Sequence, residues 1–184
     1  MPVGPATIRG LDAIRAAAAA LALAALCGCG SGGPSEGGPE PSAARLAGTV
    51  ERVIDGDTLV ARIDGDRVRV RLLGVDAPES AAGYGSAECY GVEAADAARD
   101  LLPRGTRIAL RTDPTQGRED RFGRLLAEVT VVGERRTVNE ELVAGGSAEV
   151  FRGDGRGRLQ PALRAAERRA REAGHGLWAS CRAP

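Results

Sequence analysis

Alternation of apolar and polar positions begins near Leu46 and organises most of the chain from there to its C-terminal end. "LAGTVERV" (46–53) and "DTLVARI" (57–63) alternate as half-buried strands do,. "IDGD" (63–66) has the Asp-Gly signature of a tight hairpin leading into "RVRVRLLGV" (67–75),. In that third strand Val68, Val70 and Leu72 share one face and Arg67, Arg69 and Arg71 the other,. The segment "ECYGVEAADAARDLLP" (88–103) has helical composition and stops at Pro103,. Strand patterns return in "TRIALRT" (106–112) and "GRLLAEVTVV" (123–132), the latter turning at Gly133. In "TVNEELVAGG" (137–146), Thr137 and Glu140 have capping-box spacing, and Gly145 and Gly146 end the helix,. "RLQPALRAAERRAREAG" (158–174) carries an apolar stripe of Leu159, Ala162, Leu163 and Ala166, with Gly174 as its stop. Three strands, a helix, two strands and two helices predict an α+β fold: a five-stranded OB-type β-barrel with three packed α-helices.

The chain upstream of Leu46 has a different pattern. Arg9 and Arg15 precede "AAAAALALAAL" (16–26), eleven apolar residues, too few to span a bilayer and of the right length for a secretory signal,. The run ends in "LCGC" (26–29), which resembles a bacterial lipobox, with Leu26 three before Cys29 and small Gly28 immediately before it. The expected organisation is a signal peptide over 1–28, a lipidated Cys29 opening a Gly/Pro/Ser tether over 29–45, and a folded domain over 46–184. The protein would be exported and anchored by lipid to the cell envelope, at the periplasmic face or the cell surface. It would touch the membrane through that lipid only and act as a monomer.

Cysteine count fits that compartment. With Cys27 removed and Cys29 lipidated, Cys89 and Cys181 remain, an even pair in an oxidising environment,. A bridge between them would close a loop of roughly 90 residues, worth about 4 kcal/mol in the chain-entropy model; two buried free thiols are the other reading. Composition narrows the chemistry: all 25 basic residues are Arg, which excludes Schiff-base lysines and a phosphate-loop lysine,. The 25 acidic residues balance them, so any basic site must be local,.

The acidic residues then matter individually. In "RVIDGDTLVARIDG" (52–65), Asp55 and Asp57 lie two apart, on one face of an extended chain, where like charges repel,. If the hairpin forms, the start of the second strand and the end of the third are neighbours, which brings Asp57 beside Asp76 of "GVDAPES" (74–80). Two close carboxylates call for a shared proton or a hard divalent cation, Ca²⁺ or Mg²⁺, and an exported protein meets more Ca²⁺.

Six stretches in order resemble the staphylococcal nuclease-like, or thermonuclease, family. They are "VIDGDTL" (53–59), "VRLLGVDAPE" (70–79), "CYGVEA" (89–94), "DRFGRLLAEV" (120–129), "VNEELV" (138–143) and "GLW" (176–178). The resemblance implies a Ca²⁺-dependent phosphodiesterase acting on DNA and RNA. Carried over by position, Asp57 and Asp76 would bind calcium through carboxylates and Ala77 through its backbone carbonyl, where the family commonly has Thr. Arg71 and Arg124 would hold the phosphate, Glu79 would be the general base or orient the water, and Asp55 would support the turn. Two departures concern substrate grip: Phe122 stands where the family often has Tyr, and "FRGDGRGR" (151–158) replaces two spaced tyrosines with Phe151 and Arg152. Phe122 and Arg152 are the expected substrate contacts. Trp178 and His175, the single histidine, read as packing or surface residues. The competing class is a barrel that has lost activity and binds nucleic acid or a protein; a purely structural lipoprotein domain is a third reading. Presence of all five side chains, Asp57, Arg71, Asp76, Glu79 and Arg124, argues for catalysis.

Overall fold

The structure is a computed structural model describing residues 43–80, 86–153 and 156–181. The expected signal peptide, Cys29 and nearly all of the tether lie outside the described residues.

Five strands close a barrel in the order β1-β2-β3-β6-β5. They are β1 (Arg45–Asp55), β2 (Thr58–Ile63), β3 (Asp66–Leu72), β5 (Arg107–Arg111) and β6 (Leu125–Val131). A two-residue strand β4 (Val75–Asp76) pairs outside the barrel with an equally short β7 (Glu149–Val150). The helices are α1 (Gly91–Leu101), α2 (Val138–Ala144), α3 (Gln160–Ala173) and a single turn, α4 (Leu177–Ser180). Closure depends on the length of β1: Arg45–Thr49 pair with β5, while Gly48–Asp55 pair with β2. Two register shifts let β1 bend from one partner to the other,. All barrel pairs are antiparallel except β3 with β6, which is parallel.

The core is aliphatic, as the scarcity of aromatics requires. Val50, Leu59, Val70, Leu72, Ile108, Leu110 and Val129 are buried from the strands, and Ala94, Ala98, Leu142, Val143 and Leu163 from the helices. The Thr137 capping box forms as expected, its hydroxyl accepting from the Glu140 N–H while the Glu140 carboxylate accepts from the Thr137 N–H,. On α3, Leu159, Leu163, Ala166 and Ala170 are buried, with Ala162 half-buried, and Gly174 ends the helix at φ 65°. The helix count exceeds the expected three by α4, because Gly174 and Gly176 both take positive φ and reverse the chain so that Leu177 is buried. The Leu177 N–H then donates to the Gly146 carbonyl at 2.9 Å.

Asn139 is, among the described residues, the most deeply buried of the polar residues in the interior. Its side chain is fully buried, accepts from the Val129 N–H at 3.0 Å and donates to the Leu73 carbonyl at 2.9 Å. It thereby ties α2 to β6 and to the chain leaving β3. A buried polar side chain satisfied in this way is costly to remove, because its backbone partners would be left unpaired. Cys89 and Cys181 form a disulfide spanning 92 positions, joining the segment before α1 to the end of α4.

Candidate active site

The site grows from the turn between β1 and β2. Asp55 pairs with Thr58, so the turn consists of Gly56 and Asp57. The sequence pattern places Asp57 at the opening of an extended strand; in the structure it sits in the turn, held by side-chain hydrogen bonds. The residue is 8% exposed. Its carboxylate accepts from the Thr58 hydroxyl at 2.9 Å and from the Ala77 N–H at 3.0 Å, and lies 2.6 Å from Arg71 Nη1. Burial pushes the Asp57 carboxyl above its ordinary value, against the pull of Arg71, Ala77 and Thr58,. Gly56 makes this approach feasible: a Cβ there would lie 2.6 Å from the Ala77 Cβ.

Opposite, Thr58 pairs with Arg71 across β2 and β3. The Arg71 guanidinium is mostly buried and heavily committed. It also donates to the Val75 carbonyl at 2.9 Å and, through Nη2, to the Asp76 carboxylate at 3.0 Å. The expected meeting of Asp57 and Asp76 therefore occurs on a shared arginine. Asp76 itself is exposed. Arg124 arrives from the residue before β6, its Nε donating to Asp120 at 2.6 Å and its Nη1 to the Thr58 hydroxyl at 3.3 Å. Asp120 also accepts from the Phe122 and Arg124 N–H groups, so one side chain shapes the loop and aims the guanidinium. Sequence reasoning assigns no role to Thr58 or Asp120, although both stand inside stretches that carry the family resemblance.

Glu79 comes from the segment after β4. The Glu88 N–H donates to its carbonyl at 2.9 Å, and its own N–H donates to the Glu88 carboxylate at 3.0 Å. Gly91, at the start of α1, fits against it only without a side chain, since a Cβ there would lie 2.1 Å from the Glu79 carbonyl oxygen. The disulfide at Cys89 fastens this same neighbourhood to the C-terminal end. A hydrogen bond to Asp55, with burial and the charges of Asp55, Asp57 and Glu88, raises the Glu79 carboxyl to about 7,. Asp55, expected to support the turn, does so by accepting from the Gly56 N–H at 2.9 Å, and it also meets Glu79.

These groups line a cavity of about 170 Å³, bounded by Ile54, Asp55, Asp57, Thr58, Arg69, Arg71, Glu79 and Arg124. A larger, more apolar groove of about 550 Å³ adjoins it, sharing Arg71 and Arg124 and adding Phe122, Phe151, Leu126 and Gln116. Phe122 and Phe151 are 56% and 51% exposed, and Arg121 and Arg124 lie over the Phe122 ring at 4.7 and 5.5 Å. Arg152 lines neither space; it is exposed and 3.7 Å from Glu149. Trp178 stacks under Arg171 at 4.0 Å, and His175 contacts the Ala144 carbonyl at 3.2 Å, both away from the cavity.

The donor set suits a hard cation. Asp57 and Asp76 carry oxygen ligands converging on one positive group, and a buried carboxylate resisting ionisation gains from further positive charge,. Among the described residues no three acidic, imidazole or thiol side chains form a metal cluster. Two carboxylates would thus need further oxygen ligands, such as a backbone carbonyl and water, to complete a shell; the contact Ala77 makes with Asp57 is through its N–H.

Comparison with known proteins places the chain among relatives. A sequence model of the family described as staphylococcal nuclease homologue matches residues 69–180. The chain is 34% identical over 145 residues to Protein ParB of Escherichia coli, covering 75% of each chain. It is 31% identical over 131 residues to a thermonuclease of Staphylococcus hyicus, covering 71% of this chain and 75% of that one. With endonuclease YncB of Bacillus subtilis it shares 37% identity over 102 residues, 55% of this chain and 46% of the relative.

Proposed function

This chain belongs to the staphylococcal nuclease homologue family, and on that premise we propose that it is a Ca²⁺-dependent nuclease hydrolysing phosphodiester bonds of DNA and RNA. The observation that carries the reading is the shared cavity in which Asp57, Arg71, Glu79 and Arg124 converge, with Asp76 joined to it through Arg71. Nuclease activity is the coarser conclusion, supported by relatives named thermonuclease and endonuclease. The metal and the residue roles are the finer one.

A phosphodiester is anionic and gains charge as water adds to phosphorus, so the site must offer positive groups fixed in advance. Arg71 and Arg124 do this without ever losing charge. Arg71 keeps its Nε, and Arg124 its Nη2, without a hydrogen-bond partner among the described residues, leaving donors for phosphate oxygens. Asp57, Asp76 and the Ala77 carbonyl would hold Ca²⁺, which when bound adds Lewis-acid stabilisation of the phosphate. Glu79 accepts the proton of the attacking water. With a carboxyl raised to about 7, chiefly by its hydrogen bond to Asp55 in the protonated form, it is a stronger base than an ordinary glutamate once ionised,. The apolar groove takes a nucleoside, with Phe122 and Phe151 offering faces for a base,. Phe122 lacks the hydroxyl that would bind a terminal phosphate.

We also propose export and lipid anchoring at Cys29, and action as a monomer. The Cys89–Cys181 bridge supports an oxidising compartment,. The test is degradation of DNA and RNA side by side by the purified protein, with Ca²⁺ and with chelator. Cleavage should require Ca²⁺, and Glu79→Gln should lower kcat by about 100-fold or more with little change in binding. Equal activity in chelator would sink the metal assignment, and binding without cleavage would favour the inactive-module reading.

A further inference from the structure

The three arginines on the outer face of β3 have different fates. Arg67 pairs with Glu51 at 2.5 Å, and Arg71 is shared by Asp57 and Asp76. Arg69, between them, has no carboxylate partner among the described residues; its Nη2 donates to the Phe122 carbonyl at 3.0 Å. Yet Arg69 lines the small cavity together with Arg71 and Arg124. Since Arg124 is neutralised by Asp120, Arg69 is the cavity-lining arginine whose charge no carboxylate offsets among the described residues.

Its placement is rigid at one end and open at the other. The backbone is fixed by pairing with Val60, while the side chain is exposed. The carbonyl of Phe122 takes one Nη2 hydrogen, leaving the Nε hydrogen, the Nη1 hydrogens and the second Nη2 hydrogen to grip phosphate,. The apolar groove shares Arg71 and Arg124 with the cavity and does not include Arg69. A strand with its scissile phosphate between Arg71 and Arg124, and one nucleoside in the groove, leaves the cavity on the other flank, where Arg69 stands.

We propose that Arg69 binds a second phosphate of the substrate strand, adjacent to the scissile one, and so makes the enzyme prefer polynucleotides to a single phosphodiester. This rests on the nuclease reading above and adds a residue to it. The exposed face of a β-strand readily hosts arginines that are only solvated; what separates Arg69 from that case is an uncompensated charge facing into a cavity whose other two arginines are already paired.

The experiment compares wild type, Arg69→Gln and Arg69→Lys in Ca²⁺, using a dinucleoside monophosphate and a ten-nucleotide single strand. The ratio of kcat/KM for the longer over the shorter substrate should fall about tenfold in Arg69→Gln, through KM, and recover in part in Arg69→Lys, which restores charge without the fork. The slope of log KM against log salt for the longer strand should lose about 0.7, one phosphate contact on a single strand. Thermal melting confirms that the variants fold. An unchanged ratio, or an equal loss in kcat on both substrates, overturns the assignment of Arg69 while leaving the nuclease reading standing. A wild type that cleaves neither substrate overturns both.

Discussion

The strand β2 is bounded by two turns written in the same letters, "IDGD" at 54–57 and again at 63–66, and they do opposite things. In the second, Asp64 and Gly65 are the turn residues, with φ of 51° and 93°, the paired positive angles of a tight hairpin,. Both face solvent, and a Cβ on Gly65 would meet nothing within 4 Å. In the first, the turn falls one residue later, on Gly56 and Asp57, neither at positive φ. The register shift between Val53 and Asp55 accounts for the offset. That one-residue slip turns an exposed Asp-Gly corner into a buried Gly-Asp corner, packed against Ala77 and α1 and carrying a carboxylate into the cavity. Identical tetrapeptides are thus separated by what the rest of the chain brings to them.

The sharpest way to break the comparison is to neutralise the last aspartate of each tetrapeptide. Asp57→Asn should reduce Ca²⁺-dependent cleavage by about 100-fold or more, since it removes a carboxylate from a preorganised charged site. Asp66→Asn, on an exposed strand end, should leave activity within about twofold, as surface substitutions away from a site do,. Steady-state rates across a Ca²⁺ titration check both, and equal losses would mean the two turns are not functionally distinct. The glycines come next. Gly56→Ala places a methyl 2.6 Å from the Ala77 Cβ and should cost about 2 kcal/mol by overpacking, with loss of activity,. Gly65→Ala has open space and only a backbone penalty of about 1 kcal/mol, without loss of activity,. Denaturant melts paired with rates separate the two.

The barrel was legible because its strands alternate and its helices carry caps; Thr137, Glu140 and Gly174 act as their spacing indicates. What was not legible is shorter than one period of any pattern. Two-residue β4 and β7 and one-turn α4 depend on long-range pairing, such as Asp76 with Glu149, that local composition does not encode. In the site, Asp57, Arg71, Asp76, Glu79 and Arg124 could be marked through motif, but not how they connect. That one arginine serves both aspartates, and that Asp55 meets Glu79, follows from where β4 returns. At 151 and 152 the sequence favours the arginine as the substrate contact, and the structure turns Phe151 into the groove and Arg152 toward Glu149. Neighbouring residues at a strand end point to opposite sides, so the choice between them rests on register.

A third aspartyl turn offers the smallest test of the same contrast, between turns that only reverse the chain and turns that hold charge. Burial works against ionisation of Asp120, but hydrogen bonds from the Arg124 N–H, the Arg124 side chain and the Phe122 N–H outweigh it and hold the carboxyl below its ordinary value of 3.8. A carboxylate depressed in the folded state contributes stability that is fully present above 3.8 and is lost as pH falls through its folded value, because below 3.8 the unfolded chain binds the proton more readily,. Wild type should therefore lose stability on acidification through that window, and Asp120→Asn, which has no proton to bind, should show a shallower decline while starting less stable at neutral pH. The pH dependence of the denaturation midpoint for the two proteins measures the difference. Parallel curves would mean that the Asp120 contacts shape the loop without stabilising its charge, and that Arg124 is positioned by the backbone alone.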